Sequence, residues 1–240
     1  MNELTTYSMY SKNLNLDWNY GIHLPKNYKP NMPLLVLMHG AFGNQRSIEE
    51  RFHLSDYLHK NPINCVILSI DGFNTFYIDR KIKMESAIMD ELIPHVKKQF
   101  NTKETYLGGI SMGGYGVLRL SLKYKNQFQK VFAISPAIWK EYNESTETSS
   151  WQVFRKNGVL DIDYWYSNHP NHFMGKTQTQ YYIMTGKKDE VVPYKDVLDF
   201  NKKLTHFAKT KLILDEEGDH SWDYFNQCLI RSFKWIKKDQ

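Results

Sequence analysis

The stretch "TYLGGISMGGYGVLRLSLKY", residues 105–124, runs from an apolar segment through one serine among five glycines into a segment with helical spacing. So many glycines weaken the interior of a helix or a strand. The stretch therefore reads as a junction, with a strand over 105–111 and a helix over 112–124. Gly109-Ile110-Ser111-Met112-Gly113 has G-x-S-x-G spacing in the strand–turn–helix context that this motif needs. The reason is steric. A sharp reversal holds the apex serine in strained backbone, and glycines two residues either side let neighbouring backbone approach without a Cβ. The helix that follows aims its first N–H groups at the apex, where negative charge could be held. The plain structural alternative is a glycine-rich turn with an incidental serine, and the pentapeptide alone does not decide between them.

Outward from this junction, short apolar runs recur at 33–40, 64–72, 130–136, 180–186 and 211–218. Several are apolar throughout, the pattern of parallel strands covered on both faces. "LDWNYGIHLP" (16–25) alternates instead, as an antiparallel edge strand would. Helical segments lie between the runs at 84–100, 194–208 and 222–238. In the first, Ile88, Leu92, Val96 and Phe100 share a face, and Pro94 should kink the helix or shift its start. This alternation predicts an α/β fold with a mostly parallel central sheet and helices on both faces. Residues 137–179 break the rhythm. They read as an insertion over the edge of the sheet that carries the candidate site, within a single domain spanning 1–240.

Composition excludes several classes. Hydrophobic residues make up 41% and charged residues 24%, as in ordinary soluble proteins, and the 15% aromatic content leaves rings for a binding pocket. The net charge of +5 comes from scattered lysines, which argues against a nucleic-acid partner. No apolar run approaches the ~18 residues of a membrane span. The first residues lack the basic and apolar regions of a signal peptide, so the expected location is cytoplasmic. Cys65 and Cys228 form no C-x-x-C pair and read as free thiols, one of them in a buried strand.

A nucleophilic serine needs a base and a group that orients the base. Of nine histidines, only His220 sits on a loop beyond a late strand, after the serine in the chain. His39 supports the loop that it opens, and His23 lies in the early strand. His53, His59, His95 and His206 fall in helix-like segments. His169 and His172 form H-x-x-H without the further ligands a zinc site requires, so no metal is expected. Asp189 follows the preceding strand and is the natural partner for His220, ahead of Glu190 and the adjacent Asp219. The order Ser111, Asp189, His220 is that of α/β-hydrolases. Backbone N–H groups of Met112 and of Ala41, or Phe42, could form an oxyanion hole. The loops at 39–44, 71–77, 111–113, 135–139, 186–190 and 217–222 all follow expected strands, so they share the edge where α/β sheets bind ligands. Phe42, Phe73, Tyr77, Trp139 and Trp222 are candidates for the wall of an acyl pocket; the alternative for each is core packing.

"LLVLMHGAFGN", "GGISMGGYGVLRLSLKY", "AISPAIW", "GKKDEVVPY" and "GDHSWDYF" together resemble the esterase D-like branch of the α/β-hydrolase family, which includes tributyrin esterases and S-formylglutathione hydrolases. The resemblance extends from about residue 33 to 236. It implies hydrolysis of small, short-acyl carboxylic esters through an acyl-enzyme, with no cofactor and often a homo-oligomer. Carried onto this chain, it implies Ser111 as nucleophile, His220 as base, Asp189 as its partner, and Ala41 and Met112 as oxyanion donors. "AFGN" departs from the cysteine-containing stretch of the glutathione-thioester hydrolases, which makes S-formylglutathione a poor candidate. Two rivals remain at this level: a thioesterase or acyltransferase with the same triad, and a non-catalytic ligand-binding protein of the fold. Transfer to added alcohols would separate the first from hydrolysis, and covalent labelling of Ser111 would dismiss the second.

Overall fold

The computed structural model describes residues 3–141 and 149–238, so residues 142–148 of the 137–179 insertion lie outside the described residues. Eight strands form one sheet: β1 (Thr5–Ser11), β2 (Leu16–His23), β3 (Leu34–Met38), β4 (Val66–Ile70), β5 (Thr105–Ile110), β6 (Lys130–Ile134), β9 (Gln180–Gly186) and β10 (Lys209–Asp215). A separate two-stranded hairpin pairs β7 (Arg155–Lys156) with β8 (Val159–Leu160). The large sheet has the order β1-β2-β4-β3-β5-β6-β9-β10. All pairs from β4 to β10 are parallel, and β2 runs against both of its neighbours.

Every residue of β3, β4, β5 and β6 is buried, which is why these strands read as continuous apolar runs. Side chains alternate between two cores. Leu34, Val36 and Met38 face one layer, with Ile88, Val117 and Phe200. Leu35 and Leu37 face the other, with Phe52, Leu58 and Phe233. The first layer is built by α3 (Met84–Ser86), α4 (Ile93–Gln99), α5 (Met112–Lys123) and α7 (Tyr194–Leu204), and the second by α1 (Ser47–Phe52), α2 (Leu54–Lys60) and α8 (Trp222–Lys237).

Three details differ from the expectation. Residues 16–25 were expected at an edge, but β1 pairs along Leu16–Ile22 of β2 and takes that place. Its inward residues Tyr7 and Met9 are only half-buried, so its apolar signal is weak. His59 lies in a helix as expected, α2, but His53 does not: it is the left-handed residue that separates α1 from α2 between β3 and β4. Pro94 neither ends nor delays the helical run. A π-helical turn over Ala87–Leu92 joins α3 to α4 just before it. Proline donates no N–H and crowds the carbonyl four residues back, and a wider turn accommodates both defects.

The described part of the insertion contains α6 (Ile162–Asn168) and is held against α5 and the β4–α3 connection. Tyr115 Oη donates to the Asn168 carbonyl at 2.7 Å, and Arg119 donates to the Asn168 side chain at 2.7 Å. Arg119 is 2% exposed and also pairs with Glu85 at 2.6 Å. Burial pushes the Glu85 carboxyl up, but Arg119, Lys123 and Tyr124 outweigh it and leave the pKa lowered. On the other flank, Arg80 pairs with Asp161 at 2.7 Å.

Candidate active site

Ser111 stands between β5 and α5 with φ 54° and ψ −114°, a left-handed conformation that strains a residue with a side chain. Its neighbours hold it there. Its N–H donates to the Ile134 carbonyl at 2.9 Å, and its carbonyl accepts from Tyr115 at 3.0 Å and Ala137 at 3.0 Å. A Cβ at Gly113 would lie 2.1 Å from the Met38 carbonyl oxygen, and one at Gly109 would lie 2.2 Å from that of Gly113. The bend can therefore close against the end of β3 only with glycine at both positions.

His220 reaches Ser111 from the loop between β10 and α8. Its Nε2 lies 3.0 Å from Ser111 Oγ, and its Nδ1 lies 2.8 Å from Asp189 Oδ2. One tautomer satisfies both contacts: Nδ1–H donates to the carboxylate and Nε2 accepts from the hydroxyl. Asp189 Oδ1 accepts from the N–H groups of Val191 at 3.0 Å and Val192 at 2.8 Å. The Asp189 side chain is fully buried, whereas 15% of His220 is exposed toward the cleft. The two loops meet because Gly186 and Gly218 are both bare: a Cβ on Gly186 would lie 2.4 Å from the Gly218 Cα. Phe225, on the first turn of α8, packs edge-on against the imidazole at 5.1 Å.

The N–H of Met112, at the start of α5, and that of Ala41 meet no acceptor among the described residues, and both residues line the cleft. Phe42 is different. Its N–H donates to Asn74 Oδ1 at 2.7 Å, which leaves Ala41 as the unengaged donor of the two. Buried His39 ties this loop to the next one. Its Nδ1 donates to the Gly40 carbonyl at 2.6 Å, and its Nε2 accepts from Gly72 N–H at 2.9 Å.

Ser111 opens on a cleft of about 530 Å³ walled by Phe42, Phe76, Trp139, Trp222 and Phe225, with Glu50 and Arg51 at its polar end. Two expected wall residues are elsewhere. Tyr77 is fully buried, and its hydroxyl donates to the His39 carbonyl at 2.8 Å. Burial pushes the phenol pKa up. Phe73 packs half-buried against the core and does not line the cleft. The cause is local backbone. Phe73, Phe76 and Tyr77 have φ of 48°, 51° and 58°, so the loop coils, bringing Phe76 to the cleft and sending Tyr77 beneath it. The resemblance places the 71–77 loop at the pocket, and Phe76 is the residue of that loop that reaches the cleft; Phe76, Asn74 and Phe225 were not singled out individually. Phe225 lies three residues after Trp222 on one helix face, a signal the sequence carries; nothing local marks Phe76 or Asn74. Among the described residues, no three His, Cys, Asp or Glu side chains converge as a metal site, and no helix is long and apolar enough to cross a membrane.

The strand order, with the serine bend after β5, an acid after β9 and a histidine after β10, is that of the α/β-hydrolases. Within that class, residues 11–236 match the family described as "Putative esterase", and the chain belongs to that family of carboxylic ester hydrolases. An acetyl esterase of Caldicellulosiruptor saccharolyticus is 27% identical over 238 residues, covering 87% of this chain and 84% of that protein. Among solved structures, the fluorophosphonate-binding serine hydrolase F of Staphylococcus aureus shares the fold at a TM-score of 0.80 and 19% identity, covering 98% of each chain. An S-formylglutathione hydrolase of Agrobacterium tumefaciens superposes with a TM-score of 0.80 at 17% identity, covering 98% of this chain and 94% of its own.

Proposed function

We propose that Ser111, His220 and Asp189 form the catalytic triad of a serine carboxylesterase acting on small, short-acyl esters. The observation that carries this reading is the Ser111–His220–Asp189 hydrogen-bond chain opening on an aromatic-walled cleft. In the proposed reaction, Ser111 Oγ attacks the acyl carbonyl as its proton passes to His220 Nε2. The carbonyl electrons collect on oxygen, where the Ala41 and Met112 N–H groups receive them. Such preorganised donors are each worth about 10²–10³ in rate. Collapse of the tetrahedral species breaks the ester C–O bond, and the leaving alkoxide takes the proton from His220. A water molecule then enters, gives its proton to His220 and releases the acid, restoring Ser111. Asp189 stays ionised throughout and stabilises the imidazolium. No cofactor takes part in this scheme.

The rings that surround Ser111 suit an acyl chain of a few carbons, and the acetyl esterase relative is consistent with that size. Cys65 and Cys228 are both buried and form no disulfide among the described residues, which fits the reducing cytoplasm, and we adopt that location. The test is a series of p-nitrophenyl esters of rising acyl length. The expected outcome is kcat/KM highest at acetate to butyrate and falling steeply by octanoate. A maximum at long chains would overturn the short-acyl assignment.

A further inference from the structure

A second cavity, of about 440 Å³, is lined by residues between Asn74 and Ile82 and by residues between Gln152 and Gly158. Arg80, Lys81, Arg155 and Lys156 all line it, and no carboxylate lines it among the described residues. The amides of Asn74, Gln152 and Asn157 add hydrogen-bonding groups to its wall, whereas the buried Thr75 hydroxyl is engaged by the Gly72 carbonyl and the Tyr77 N–H. Arg80 is held by Asp161, and its guanidinium carbon lies 3.9 Å from the centre of the Tyr164 ring, so its position is fixed. Lys81 and Lys156 are exposed, and Asp161, outside the lining, offsets part of the charge of Arg80 and Lys156. Like charges gathered around one concavity repel each other, and an anion in the cavity relieves that repulsion.

This cavity shares a wall with the site of the ester chemistry. Asn74 and Thr75 line it, whereas the next residue, Phe76, lines the cleft. Asn74 also accepts from the N–H of Phe42, an exposed ring at the mouth of the cleft. A substrate esterified near one end could lie across Phe42 with its far end in the cavity.

We propose that the cavity is a subsite for an anionic, hydroxyl-rich group on the alcohol part of the ester. Cations recognise its charge, and the amides recognise its hydroxyls. This rests on the ester hydrolase reading and names the substrate class within it. A uronic acid and a sugar phosphate both present this chemistry.

The first test is read without turnover. Calorimetric titrations of Ser111→Ala protein with trigalacturonate, glucose 6-phosphate and neutral xylotriose are repeated in a background carrying Lys81→Gln and Lys156→Gln. One of the two anionic probes is expected to bind at least tenfold tighter than xylotriose and to lose about tenfold in the lysine variant. Trigalacturonate as that probe assigns the site to uronates; glucose 6-phosphate assigns it to phosphates. Equal binding of all three probes, or of the anion to both proteins, overturns the subsite.

The second test uses the active enzyme. With the acetylated form of whichever anion binds, the lysine variant should show KM raised about tenfold and p-nitrophenyl acetate kinetics unchanged. An unchanged KM for that ester would overturn the link to substrate. Activity on p-nitrophenyl acetate is read separately, so loss of the subsite and loss of the esterase reading are distinguishable.

Discussion

His220 Nδ1 lies 2.8 Å from Asp189 Oδ2, and the other oxygen of that carboxylate is held by the N–H groups of Val191 and Val192. The acid is thus fixed from behind by backbone while it fixes the imidazole in front. In Asp189→Asn, the position facing His220 loses its charge and can present a donor, which favours the wrong tautomer. The expected result is a kcat on p-nitrophenyl acetate lower by about 10⁴, with a thermal midpoint close to wild type. A loss under tenfold would remove Asp189 from the relay.

Under the proposed mechanism, Asn74 acts at one remove, as a positioning residue. Its Oδ1 accepts from Phe42 N–H and so holds the loop that presents Ala41. Displacing an oxyanion donor by a fraction of an ångström weakens the transition state more than the ground state. Asn74→Ala should therefore lower kcat by about tenfold to a hundredfold with KM nearly unchanged. Asn74→Asp keeps the acceptor and should recover most of the loss. A change in KM alone would count against this role.

His169 links the insertion to pH. Burial holds its pKa down at about 4, against the usual 6.5. The unfolded chain therefore takes up a proton as pH falls through 6.5, while the folded protein does not until about 4. Stability is full above the upper value and declines across that window, by about 3 kcal/mol in total. Urea unfolding from pH 7 to pH 4 should show this decline in wild type and a shallower slope in His169→Gln. Equal slopes would mean that other groups set the acid sensitivity.

Much of this was legible in the residues, and the illegible parts share a cause. Ser111, Asp189 and His220 could be read because each sits where an apolar run ends, and a parallel sheet gathers those ends at one edge. The sheet interior was legible because burial on both faces makes β3 to β6 mostly apolar. At the margin, β1 was missed because its partly exposed residues mix with polar ones. Tyr77 was misplaced because nothing in "GFNTFY" reveals three left-handed residues in five. The bond from Phe42 to Asn74 spans 32 residues and exists only once two loops are folded against each other. The p-nitrophenyl series bears on the same limit, since the depth of the cleft depends on how Phe76 and Trp139 pack.

The central claim is that Ser111 is the nucleophile, and one measurement tests it most directly. Wild-type and Ser111→Ala proteins are compared for p-nitrophenyl acetate hydrolysis, with circular dichroism and thermal midpoint confirming the fold in both. Loss of the attacking oxygen should lower kcat/KM by at least about 10³, leaving only what binding and the oxyanion donors provide, and should abolish labelling by a fluorophosphonate. A folded Ser111→Ala protein that keeps activity within tenfold of wild type would contradict the account.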